Sequence, residues 1–147
     1  MGVQVAYAAA LDAVREHLAR GGPAEVIAYL AEAFPHYSWV GIYWVQDHDL
    51  VLGPWKGPQA TQHTRIPIGT GVSGAAAASG RTEVVDDVSA APRYLACFSA
   101  TRSEIVVPIV RDGRVIGEID IDSDRLAAFG PEDQRFLEEV AALIAAA

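Results

Sequence analysis

The stretch from 96 to 122, ACFSATRSEIVVPIVRDGRVIGEIDID, decides the fold. It carries the one cysteine, Cys97, and then two runs rich in branched apolar residues that meet at Asp112-Gly113. Asp-Gly flanked by alternating hydrophobics is a hairpin signal, so strands are expected over 104–110 and 114–122. A three-residue loop, Arg111-Asp112-Gly113 with Gly113 left-handed, pairs Glu104 directly with Asp120. That register gathers Ile105, Val107, Ile109, Val115, Ile119 and Ile121 on a face suited to helices. Glu104, Glu118, Asp120 and Asp122 then share the opposite face. A two-residue loop would place Glu104 on the other side.

Like charges directly opposite each other repel, so an acidic face needs a shared proton or a cationic partner. A shared proton would leave one carboxyl available as an acid near neutral pH. The alternative is a solvated polar face with arginine counter-charges nearby.

Outward from this hairpin, 5–20 and 23–34 have helical apolar spacing, separated by Gly21-Gly22-Pro23. The run 38–46, SWVGIYWVQ, reads as a strand with Trp39, Gly41 and Tyr43 on one face and Val40, Ile42 and Trp44 on the other. Leu50–Leu52 is its hairpin partner, and Gly53-Pro54 with Gly57-Pro58 is expected to break the chain into a loop. A short strand at 64–68, a helix at 72–79, a short strand at 82–85 and an irregular segment to about 103 follow. Pro131 opens a final helix with Phe136, Leu137, Val140 and Leu143 on its apolar stripe. The pattern implies one α+β domain over 1–147, an antiparallel sheet with helices mainly on one face.

Composition narrows the function. The chain has 147 residues, 51% of them hydrophobic, and a formal charge of −8, which argues against nonspecific nucleic-acid binding. One cysteine excludes an intrachain disulfide and paired-cysteine zinc, so no metal is expected. Neither a membrane-length apolar run nor a signal-peptide layout is present, and a cytoplasmic protein with a reduced thiol is expected. GTGVSG at 69–74 lacks the lysine of a phosphate loop. Asp120, Asp122 and Asp124 fit a calcium loop poorly, because Arg125 stands where glycine is required.

Taken together, SWVGIYWV (38–45), LVLGPWKG (50–57), TRIPIGTGVSG (64–74), YLACFSATRSEIVVPI (94–109) and GEIDIDSD (117–124) resemble the GAF-domain enzymes that reduce free methionine-(R)-sulfoxide. The resemblance implies a GAF-like six-stranded antiparallel sheet and a small closed pocket. It implies Cys97 as the catalytic cysteine, and Glu104, Asp120 and Asp122 as the carboxylates that bind the substrate amine and assist sulfoxide protonation. Trp39 and Tyr43 would surround the methyl-sulfur end. No bound cofactor is implied, only an external thiol reductant such as thioredoxin.

The chain departs from the pattern at His63 and Ser73, where typical members carry further cysteines, and at Phe98, where an aspartate usually stands. Three outcomes follow: reduction by an external thiol, a Cys97–Cys97 disulfide in a homodimer, or a binding pocket without turnover. A noncatalytic GAF module that binds an amino-acid-like ligand, and a structural dimer module, remain beside the reductase reading.

Overall fold

The computed structural model describes residues 2–91 and 100–147, so the expectations on Cys97 and Phe98 fall outside the described residues. The chain order is α1 (Gly2–Ala33), β1 (Trp39–Gln46), β2 (Asp49–Lys56), β3 (Arg65–Pro67), α2 (Gly71–Ser79), β4 (Glu83–Val85), β5 (Ser103–Arg111), β6 (Arg114–Ser123) and α3 (Pro131–Ala146), with one 3₁₀ turn at Val88–Ala90. The strands form one six-stranded sheet, β3-β2-β1-β6-β5-β4, and every described pairing is antiparallel.

α1 contains the expected break. Gly22 has φ 73° and ψ −162°, outside helical space, and Pro23 starts the second segment with its φ already fixed. Both segments and α3 cover one face of the sheet. Val14, Val26, Ile27 and Leu30 pack there with Phe136, Leu137, Val140 and Ile144 against Val40, Ile42, Ile105, Val107, Ile109, Ile119 and Ile121. The period of two thus divides β1, β5 and β6 as expected. α2 lies on the other face, where Val72 and Ala76 pack with Val106. None of the described helices is long and apolar enough to cross a membrane.

Two expectations are corrected. β2 does not stop at Gly53-Pro54 but continues to Lys56. β3 pairs only with Asp49–Val51, so Pro54 lies where β2 has no ladder partner on that side and its missing N–H costs little. Gly53 sits at a bulge opposite Ile42, where a Cβ would come within 2.6 Å of the Trp44 indole nitrogen.

The β5–β6 register also differs. Arg111 pairs with Arg114, so the loop is the two-residue Asp112-Gly113, both with positive φ (52° and 76°). A bulge follows, because Ile109 pairs with Gly117 while Val110 pairs with Val115, which leaves Ile116 as the extra residue. Glu104 therefore faces Asp122, and Asp120 faces Val106. One extra residue restores the face division that the three-residue loop would have given. Two residues at the bulge change sides: Ile116 packs under the helices, and Val115 moves to the opposite cluster with Leu52 and Trp55.

Candidate active site

β6 runs between β1 and β5, and alternate residues of all three strands meet on the face away from α1 and α3. Across from β1, Trp39 faces Asp122, Gly41 faces Asp120 and Tyr43 faces Glu118. Across from β5, Glu104 faces Asp122 and Pro108 faces Glu118. All four acids are buried, with relative exposures of 5% for Glu104, 0% for Glu118, and 3% for both Asp120 and Asp122. One carboxyl oxygen from each of Glu104, Asp120 and Asp122 lies within 4.8 Å of the other two.

Few donors meet this cluster. Ser73, on α2, donates its hydroxyl to Asp120 Oδ2 at 3.0 Å. Asp120 Oδ1, Asp122 Oδ1 and both Glu118 oxygens accept no hydrogen bond from the described residues, and no ion pair among those residues reaches Glu118, Asp120 or Asp122. Burial pushes Glu118 well above the usual carboxylate range, and the Asp120 charge pushes it further. Burial does the same to Asp122, again helped by Asp120. Asp120 is also raised by burial, with hydrogen bonds to Glu104 and Ser73 opposing the rise. A hydrogen bond between two carboxyl groups requires a proton between them, and the upward shifts of Asp120 and Asp122 favour holding one.

Among the described residues, Glu118, Asp120 and Asp122 thus have unmet acceptors and no positive partner. Three converging oxygens match the three N–H donors of an ammonium group. They are also the hard oxygen donors that a calcium or magnesium ion takes. A cavity of about 60 Å³ reaches Asp122 of this trio and is lined in part by Ser38, Trp39, Pro58 and Gln59. The larger depressions, about 310 Å³ between α1 and α3, about 600 Å³ where α3 meets the outer edge of β5 and about 380 Å³ between residues 87–89 and 100–102, include none of these four acids.

The structure therefore brings Trp39, Tyr43, Glu104, Asp120 and Asp122 to one sheet face. Tyr43 is committed more deeply than a pocket wall needs. It is 1% exposed, it packs against Leu50, Ile66 and Ala77, and its hydroxyl donates to the His63 carbonyl at 2.7 Å. Two residues had not been singled out as site residues. The alternation already set Glu118 on the acidic face, and that was its signal. Ser73 stands out in the sequence only as a position where the resembling family carries a cysteine, and its reach to Asp120 across 47 residues of sequence has no local signal.

The curled antiparallel sheet, backed by α1 and α3 and carrying a buried acidic cluster on its other face with a small cavity at Asp122, is the architecture of a GAF domain. A GAF-domain family model matches residues 3–147. The free methionine-R-sulfoxide reductase of Escherichia coli is 39% identical over 119 residues, which span 81% of this chain and 71% of that protein. The structure of the free methionine-R-sulfoxide reductase of Neisseria meningitidis, in complex with its substrate, is 44% identical with a TM-score of 0.89, covering 95% of this chain and 86% of that one. The type II enzyme of Thermoplasma acidophilum gives 41% identity and a TM-score of 0.83, with 90% and 93% covered. The chain belongs to the GAF-domain family of the free methionine-R-sulfoxide reductases.

Proposed function

We propose that the protein reduces free methionine-(R)-sulfoxide to methionine through Cys97. The observation that carries this reading is the buried trio Glu104, Asp120 and Asp122 beside Trp39, in which Asp120 and Asp122 each keep an oxygen that accepts no hydrogen bond and meets no cation among the described residues. A free amino acid brings the missing charge as its ammonium group. The same carboxyls supply the acid that a sulfoxide needs, and burial raises Asp120 and Asp122 toward the protonated form.

In the proposed reaction the Cys97 thiolate attacks the sulfoxide sulfur while a protonated carboxyl of the trio, Glu104 first among them, gives its proton to the sulfoxide oxygen. Oxygen passes to the cysteine, which becomes a sulfenic acid, and the substrate leaves as methionine with its sulfur reduced by two electrons. An external dithiol of the thioredoxin class then reduces the sulfenic acid to the thiol, releasing water and itself becoming a disulfide. With one cysteine in the chain, no second thiol of the same chain can take that part. A reducing, cytoplasmic setting suits this requirement.

The test follows loss of free methionine-(R)-sulfoxide with dithiothreitol as reductant. Wild type should turn over, Cys97→Ser should not, and Glu104→Gln should lower kcat by about 10²–10⁴-fold while the protein stays folded. If the wild type is inactive but binds methionine by calorimetry, the noncatalytic binding module replaces the reductase.

A further inference from the structure

The Trp39 indole lies against two glycines. A Cβ added at Gly57 would stand 2.3 Å from ring atom Cδ1, and one added at Gly41 would stand 2.4 Å from Cη2. Neither residue has positive φ, so the backbone tolerates a side chain at both and only the ring's proximity forbids it. Gly41 lies two residues beyond Trp39 on the same sheet face, so the indole lies flat along β1 instead of standing away from it. Gly57 closes the pyrrole end. Trp55, the partner of Gly41 in β2, is stacked on Trp39 with ring centroids 6.2 Å apart and planes 12° apart. The cavity shared with Asp122 borders the ring as well.

Trp44, on the other face, is seated in the same way between Gly53 and Gly117, with contacts of 2.6 and 2.7 Å to an added Cβ. There the ring packs against the helix-covered core. At Trp39 the seated ring borders a cavity, and its position decides how much room a ligand has.

We propose that Gly57 is a positioning residue that sets how far the Trp39 indole projects into the ligand cavity, and so limits the size of the alkyl group on the ligand's sulfur. This rests on Trp39 forming a wall of the pocket, as in the reading above. An alanine at Gly57 must move the ring from 2.3 Å to the 3.4 Å of an ordinary contact, about 1.1 Å. Gly41 and Trp55 lie against the ring on the β1 and β2 sides, the cavity borders it as well, and the proposed displacement is into that space. A methyl group on sulfur then fits poorly, and an ethyl group fits worse.

The experiment uses the full chain and measures calorimetric affinities for L-methionine and L-ethionine, KM and kcat for free methionine-(R)-sulfoxide, and near-ultraviolet circular dichroism as a report on the Trp39–Trp55 pair. Gly57→Ala should weaken L-methionine binding and raise KM by about tenfold, leave kcat within about twofold, and weaken L-ethionine binding further. The dichroism of the stacked pair should change. In a Trp39→Phe background the smaller ring leaves room, and Gly57→Ala should cost less than about twofold.

Unchanged affinities in a folded Gly57→Ala variant overturn the proposal, and so does an equal loss with and without the indole. If Trp39→Ala weakens binding while Gly57→Ala does not, only the positioning role fails. If neither weakens it, the pocket-wall reading fails as well. Should Gly57→Ala not fold, recovery of folding in Trp39→Phe/Gly57→Ala supports the steric link, and failure of both overturns it.

Discussion

The sheet carries buried acids on both faces, and their surroundings are opposite. On the helix face, Asp133 of α3 accepts at Oδ1 from the Tyr7 and Tyr37 hydroxyls, both at 2.8 Å, and from His36 Nε2 at 2.9 Å, while Oδ2 takes the Gly130 N–H at 3.2 Å. Burial alone would raise this carboxyl. The hydrogen bonds from His36, Tyr37, Tyr7 and Gly130 outweigh it and hold Asp133 below its ordinary value. On the other face, Glu118 and Asp122 have equal or deeper burial, open oxygens and raised values. Burial is common to the two sites, and the donor count decides which charge state survives. A saturated carboxylate ties elements together. An unsaturated group of carboxyls holds protons and waits for a cation.

The largest expected effect breaks the saturated site. Asp133→Ala leaves two tyrosine hydroxyls and a histidine without their shared acceptor, where α1, the α1–β1 turn and α3 converge. It should cost about 3–5 kcal/mol in urea unfolding. Because Asp133 is held low, its contribution is present above the ordinary carboxylate range and is lost as pH falls through its folded value.

Glu118→Gln sharpens the contrast with the opposite sign. The folded-state value of Glu118 is raised, so wild-type stability is full at low pH and falls as pH rises from about 4.5 toward that raised value. A neutral isostere escapes this loss. The variant should match wild type near pH 4 and exceed it by about 1–2 kcal/mol at pH 8, measured by urea unfolding at each pH. A constant difference across pH would contradict the protonated state of Glu118.

The smallest expected effect is that of Tyr7→Phe. It removes one of three donors to Asp133 Oδ1 while keeping the ring packed between Phe34 and Phe136, and should cost about 1 kcal/mol. Activity should stay at the wild-type level, since this face carries no part of the proposed chemistry. A loss of activity without loss of stability would break the division between the two faces.

Much of the candidate site was legible because strand periodicity is local. Alternation alone puts Glu118, Asp120 and Asp122 on one side of β6, and Trp39 with Tyr43 on one side of β1, while Glu104 joins the acids only through the register. The register was less legible. Asp112-Gly113 admits loops of two or three residues, and only packing shows that a bulge at Ile116 repairs the parity that the shorter loop would have reversed. Gly53-Pro54 misled for a related reason: a proline breaks a strand only where a neighbour needs its N–H.

By itself, the sequence determined which residues of most strands share a face, where the helices break at Gly22 and start at Pro131, and that Glu118, Asp120 and Asp122 share one side of their strand. Those are properties of short windows, set by sterics and the period of two. Tertiary structure alone decided that Asp133 is saturated by Tyr7, 126 residues away, that Ser73 reaches Asp120, and that glycines clasp Trp39 and Trp44. These contacts join residues remote in sequence or fit a ring to a space. Neither has a local signature, because the chain must first close around its core before such atoms meet.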